Sequence, residues 1–157
     1  MSTASATIPV GYKQTEIGVI PEDWEISTLG DISKKITDGT HYTPIYVISG
    51  VPFYSVETVT NDDFSKTKFI SEEEHQNLIK RCKPERGDIL MTRIGTLGIT
   101  KRIDWDCDAS IYVSLCLLKP NGVLDYSYVG EYSKSQLFVK EVVKRSLLGA
   151  TPKKINM

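Results

Sequence analysis

The sequence predicts an α/β domain of the α+β kind, a β-rich twisted sheet with peripheral helices. Three observations lead there. Runs of β-branched and aromatic residues, as at Val51–Val59, Ile89–Met91 and Ala109–Leu118, recur between turn signals built from Gly, Pro, Asn and Asp. Helical signals are few and sit in short, capped stretches. The 157 residues suffice for one domain with a real core.

Composition narrows the function classes. The formal net charge is -1, so bulk charge does not call for a polyanion partner. A nucleic-acid binder of this composition must gather its cations on one face, or a partner must supply part of the field. Cys82, Cys107 and Cys116 are widely spaced and form no CxxC pair. With His41 and His75 as the only histidines, a structural zinc site is not expected, and a reduced, cytoplasmic setting fits. Met1–Thr7 is small and polar with no charged n-region, so no secretory signal is expected. No apolar run approaches the length of a membrane span.

Residues 1–10 read as a disordered lead-in, and 11–157 as a single domain. Tyr12–Trp24 has no helical period. It reads as an extended arm pinned to the domain by Ile17, Ile20 and Trp24, with Trp24 as core filler. Glu25–Ile32 resembles a short strand followed by a helical turn. Lys34 and Lys35 precede a loop, Thr37–Pro44, bounded by Asp-Gly and Thr-Pro turn signals. Thr40, His41, Tyr42 and Thr43 lie between those signals. One reading is a solvated turn. The other is a recognition loop, with hydroxyl and imidazole groups for base edges or phosphates and Tyr42 for stacking.

Ile45–Ile48 and Val51–Val59 read as strands, the latter including Tyr54. Ser71 and Glu74 form a capping-box pattern, opening a helix that runs to about Cys82 with His75 as a solvated surface residue. Lys83–Gly98 reads as a hairpin. Lys83–Pro84 ends the preceding helix, Glu85–Asp88 is a turn with Gly87 at its bend, and Ile89–Met91 is a buried strand. That strand runs out into Thr92, Arg93, Gly95, Thr96 and Gly98. Arg93 is expected to have an anchored backbone and an outward head. The competing reading pairs it with Glu85 or Asp88 to hold the hairpin together. Ile99–Ile103 continues as a strand carrying Lys101 and Arg102. Asp104, Asp106 and Asp108 do not have calcium-loop spacing. Ala109–Leu118 is an apolar strand with Cys116 as a small core residue. Tyr126–Ser133 and Gln136–Leu148 read as helices, the second capped by Ser135, striped by Leu137, Val139, Val143 and Leu147, and closed by Gly149.

Catalytic motifs are missing. There is no GxSxG elbow, P-loop, HExxH or strand-borne GxGxxG, and Cys107 and Cys116 have no activating context. Neither a glycine-rich cofactor loop nor an Asn/Asp-Pro-Pro-Tyr/Phe motif of amino-methyltransferases occurs. The chain reads as a binder.

Several stretches, in order, resemble the specificity subunits of type I restriction-modification enzymes. They are Tyr12–Gly18 with Ile20–Trp24, Leu29–Ile32, Asp38–Pro44, Gly50–Phe53, Arg86–Leu90, Gly95–Gly98 and Gly149–Asn156. The resemblance implies a single DNA target recognition domain, truncated before the spacer helix. Such a domain reads one half of a split double-stranded DNA site. It also implies partners: a DNA methyltransferase subunit and a restriction subunit, which would carry S-adenosylmethionine and ATP, while this chain needs no cofactor. The candidate DNA-contacting set is Lys34, Lys35, Thr40, His41, Tyr42, Thr43, Tyr54, Arg93, Thr96, Lys101, Arg102, Lys153 and Lys154. The alternative is a protein-interaction module that docks or regulates a DNA methyltransferase without reading bases. One contiguous basic face holding both the Thr40 loop and Arg93 would favour DNA.

On either reading the purified chain is expected to transfer no methyl group from S-adenosylmethionine and to hydrolyse no ATP. Either activity, surviving removal of contaminants, overturns the binder reading.

Overall fold

The computed structural model describes residues 7–146 and Ile155. In chain order the first half holds β1 (Tyr12–Thr15), β2 (Gly18–Pro21), β3 (Ser33–Asp38), β4 (Val51–Tyr54), α1 (Val56–Thr60), β5 (Lys68–Ile70) and α2 (Glu72–Leu78). The second half holds β6 (Ile89–Thr92), β7 (Thr100–Arg102), β8 (Ser110–Ile111), β9 (Leu115–Pro120), α3 (Tyr126–Tyr132) and α4 (Gln136–Lys144). The expected α+β class is what is found.

The central sheet is antiparallel, in the order β3-β9-β6-β7. Its middle strands are apolar at nearly every position because both faces are covered. Leu90, Leu115 and Leu117 face Tyr54 and Ile111 of a smaller sheet, ordered β5-β4-β8, together with Val59 of α1. Ile89, Met91, Cys116 and Leu118 face α3 and α4 through Tyr126, Val129, Phe138 and Val142. The alternation of a strand thus sorts one run of residues onto two cores. A buried ion cluster joins the central strands: Lys119 on β9 donates to Asp88 at 2.6 Å and to Glu85 at 2.9 Å. Burial pulls the Lys119 ammonium down, but the bonds to Asp88 and Glu85 outweigh it and hold the ammonium above its usual range.

Local signals placed several ends correctly. Ser71 Oγ accepts from Glu74 N at 3.2 Å and Ser135 Oγ from Phe138 N at 3.2 Å, so both N-caps stand where expected. Gly87 bends the turn before β6 with φ of +94°. Other expectations are corrected. The Tyr12–Trp24 arm is a separate two-stranded hairpin that satisfies its own backbone. It leaves Ile17, Val19 and Trp24 exposed, and Trp24 is no core filler at 57% exposure. No strand forms between Glu25 and Thr28, and Ile45–Ile48 contributes one bridge, Val47 to Phe69.

Val56–Val59 is helical, not extended. Ser114 Oγ accepts from Val56 N at 3.0 Å and Thr58 Oγ1 from Ser55 N at 3.1 Å, which supply partners for a helix start that local propensity does not favour. The Ala109–Leu118 run is two strands in different sheets. Leu115 N bonds back to Tyr112 O at 2.9 Å, and the chain crosses between layers there. Helix α2 ends at Leu78, four residues early. His75 is buried, not solvated, with Nε2 donating to Asp108 at 2.9 Å and Nδ1 2.9 Å from Ser110 Oγ. In α4 the buried pair is Phe138 and Val142, an i,i+4 stripe. Leu137 and Val143, expected inside, are exposed. Leu147 and Gly149 lie outside the described residues.

Burial pushes the thiols of Cys82 and Cys107 up to about 11 and that of Cys116 up to about 12. The native chain is therefore expected to react only slowly with Ellman's reagent at pH 8 and to release three thiols per chain in guanidinium. Rapid reaction of any one thiol in the native state would contradict the packing described.

Candidate nucleic-acid interface

Strand β3 is the edge of the central sheet, and its last residue, Asp38, turns inward. Its side chain is 13% exposed. A carboxylate so placed needs cations or donors, and three converge on it. His41 Nε2 lies 2.8 Å from Oδ2, Arg81 donates through NH1 to Oδ1 at 3.0 Å, and Arg93 donates through NH1 to Oδ2 at 3.2 Å. Burial pushes the Asp38 carboxyl up. The bonds from Arg81 and His41, with the charge of Arg93, overcome that and hold it below its usual range.

The loop that follows is fixed from both sides. Arg81 also donates to the carbonyls of Asp38, at 2.8 Å, and Gly39, at 2.5 Å. A Cβ at Gly39 would sit 2.1 Å from the Ile111 carbonyl oxygen, so only glycine permits this approach to β8. Thr40 is buried and bridges to the β8–β9 crossing, accepting from Val113 N at 3.0 Å and donating to Ile111 O at 3.1 Å. Its hydroxyl faces back into the turn, 3.4 Å from Tyr42 O. His41, Tyr42 and Thr43 then stand exposed. The Tyr42 hydroxyl donates to the Glu74 carboxylate, and Thr43 Oγ1 lies 3.1 Å from Tyr112 Oη. The result is a polar tip on a rigid base, with its donors preset.

Arg93 departs from its expected outward course. It is buried at 7% exposure, and Nε and NH2 donate to Ile155 O at 3.1 and 2.8 Å while NH1 also reaches Val113 O at 3.0 Å. Ile155 N returns a bond to Arg93 O at 3.0 Å. A carboxylate does hold it, as the competing reading requires, but that carboxylate is Asp38. Lys119 occupies Glu85 and Asp88.

Tyr54 is also interior, and burial pushes its phenol up to about 12. Lys101 pairs with Asp62 at 2.7 Å, and the Arg102 stem lies against Gly130. Among the described residues Arg102 Nε is a buried nitrogen without a hydrogen-bond partner. Both belong to β7, the edge opposite β3, three strand spacings or about 14 Å away. Thr96 is exposed in the β6–β7 connection. Lys34 is the extra residue of a β-bulge, and Lys35 donates to Arg81 O at 2.5 Å. Lys153 and Lys154 lie outside the described residues. The single basic face that would have favoured DNA, uniting the Thr40 loop with Arg93, does not form: Arg93 is beneath the loop, and the β7 cations are across the sheet. What gathers is Lys35, His41, Tyr42 and Thr43, together with Arg81. Arg81 is absent from the candidate set, since in sequence it is only one cation of the basic run Lys80, Arg81 and Lys83. Among the described residues no group of three or more His, Cys, Asp or Glu side chains is placed to hold a metal ion, and no helix is long and apolar enough to cross a membrane.

Residues 21–157 match the family model described as the type I restriction modification DNA specificity domain. The chain belongs to that family. As a specificity domain it is 35% identical, over 115 residues, to a protein of Methanocaldococcus jannaschii that carries the name type I restriction enzyme MjaX specificity subunit. That match covers 70% of this chain and 27% of the relative. The fold is similar to the S subunit of a type I restriction-modification system from M. genitalium, with a TM-score of 0.56 and 14% identity, covering 83% of this chain and 30% of that one. A chain from a structural study of assembly and conformational transition in the type I R-M system gives a TM-score of 0.56 and 17% identity, covering 99% and 33%. The specificity domain therefore spans about a third or less of the relatives it matches.

The Asp38 cluster has a pH signature. An unfolded Asp titrates near about 3.9. The folded carboxyl lies lower, so its stabilisation is present above about pH 4 and is lost as pH falls through the folded value. Asp38→Asn leaves Arg93 buried without its counter-charge and is expected to cost about 3 kcal/mol at pH 7. The gap in urea midpoint between wild type and variant should narrow from pH 6 to pH 3. A gap that stays constant over that range sinks this account.

Proposed function

We propose that this chain is one target recognition domain of a type I restriction-modification complex and reads one half of a split duplex DNA site. The observation that carries the reading is the match of residues 21–157 to a DNA specificity domain model. The exposed tip His41–Thr43 supports it: imidazole, phenol and hydroxyl groups on a base that Asp38, Arg81 and Gly39 hold rigid suit direct contact with base edges. The chain is non-catalytic on this reading. A methyltransferase subunit supplies S-adenosylmethionine chemistry, a restriction subunit supplies ATP-driven cleavage, and the complex acts in the cytoplasm. The near-neutral charge is consistent, because the assembled complex rather than this domain alone encloses the duplex.

The test is the methylated motif. The intact system carrying His41→Ala, Tyr42→Ala or Thr43→Ala is compared with wild type by methylome sequencing. Each lost base contact is expected to relax preference at one position of one half-site, by about 1–3 kcal/mol in discrimination, with the other half-site unchanged. An identical motif and methylation level in all three variants would remove the loop from base reading.

A further inference from the structure

Between the anchored loop and the end of α2 lies a cavity of about 350 Å³. Its polar lining comes from Thr40, His41, Tyr42, Asn77 and Arg81, and no Asp or Glu lines it. A larger hollow of about 730 Å³ elsewhere mixes Glu57 and Asp63 with Lys66 and Lys68 and so has no clear preference for either charge.

The charges around the smaller cavity do not balance. Arg93 already neutralises Asp38 from the interior, so the charge of Arg81 is left over. Lys35, seated on the Arg81 carbonyl, adds a second. Of the nearby acids, Glu85 and Asp88 share Lys119, whereas Glu74, bonded to the neutral Tyr42 phenol, keeps its charge and offsets one of these two. The Arg81 side chain is 53% exposed, and among the described residues its Nε makes no hydrogen bond, so part of the guanidinium remains available. One positive charge in excess beside a hollow whose wall holds no Asp or Glu suits an anion with several acceptor oxygens.

We propose that this cavity receives a phosphodiester of the duplex backbone, with Arg81 on its wall and Lys35 beside it as the contacting cations and Asp38 as the positioning residue. The proposal rests on the DNA-reading function above and adds the contact that sets the register of the loop without reading sequence.

The experiment titrates the purified chain, followed by amide NMR, with two unrelated 16-base-pair duplexes over a series of salt concentrations. Inorganic phosphate at matched ionic strength is the control. Wild type is expected to bind both duplexes weakly, with shifts at residues 39–43 and 79–82. Each phosphate contact contributes about 0.9 to the salt slope. Lys35→Gln leaves the bonds of Arg81 to the loop in place. It is expected to lower the slope by about one on both duplexes without changing the melting temperature, and Arg81→Gln is expected to do the same to the slope. Binding with an unchanged slope in Lys35→Gln, or shifts confined to Lys101 and Arg102, overturns the phosphate site and leaves DNA reading standing. Inorganic phosphate shifting these amides as strongly as duplex does, with the variants' duplex slopes unchanged, marks a free-anion site and also overturns it. No binding of either duplex by wild type overturns the phosphate site, while DNA reading stands or falls with the methylated motif of the intact system.

Discussion

The Asp38 carboxylate, turned inward at the end of an edge strand, is the constraint on which the His41–Thr43 loop and its surroundings depend. A buried charge of this kind is tolerated only when it is matched and fully hydrogen-bonded. Matching it draws Arg93 inward from β6, Arg81 across from the end of α2, and His41 back from the loop it precedes. Three separate elements thereby fix one turn of chain. The turn cannot drift without exposing or orphaning a charge, so its outer side chains keep their directions.

The layers behind that turn serve the same end. The β8–β9 crossing at Tyr112–Ser114 carries the chain from the small sheet to the central one. On the way it offers carbonyl oxygens to Arg93 and takes up Thr40 through backbone bonds. Helix α2, source of Glu74 and forerunner of Arg81, is tied to β8 through His75, Ser110 and Asp108. Because a carboxylate only accepts, the His75 ring carries its proton on Nε2, and its Nδ1 is matched to the serine hydroxyl. Both sides of the loop are thus referred to one short strand.

What was legible in the sequence is what is decided locally. Ser71 and Ser135 cap their helices because a hydroxyl three residues before an amide suffices. The turn at Gly87 and the hairpin after it follow from glycine and proline. Residues whose fate is set by distant partners were misread. Arg93 looked outward because Asp38 is 55 residues away in sequence. His75 looked solvated because Ser110 and Asp108 were invisible to it. Val56–Val59 has the composition of a strand, and a serine from another layer helps make it a helix start. The loop Thr40–Thr43 was recognisable by its density of hydrogen-bonding groups, whereas Arg81, which holds it, left no local mark.

The bond pattern between Arg93 and Ile155 bears on how such a domain can be exchanged between proteins. Ile155, beyond α4, supplies the acceptor for two donors of an interior guanidinium, and that same guanidinium balances the carboxylate beneath the His41–Thr43 loop. The unit that can be transplanted intact is therefore bounded by this contact rather than by the last helix. A junction placed after α4 would take the acceptor from Arg93 Nε and NH2 and leave only Asp38 and Val113 to hold the guanidinium, while one placed beyond Ile155 keeps every one of its bonds.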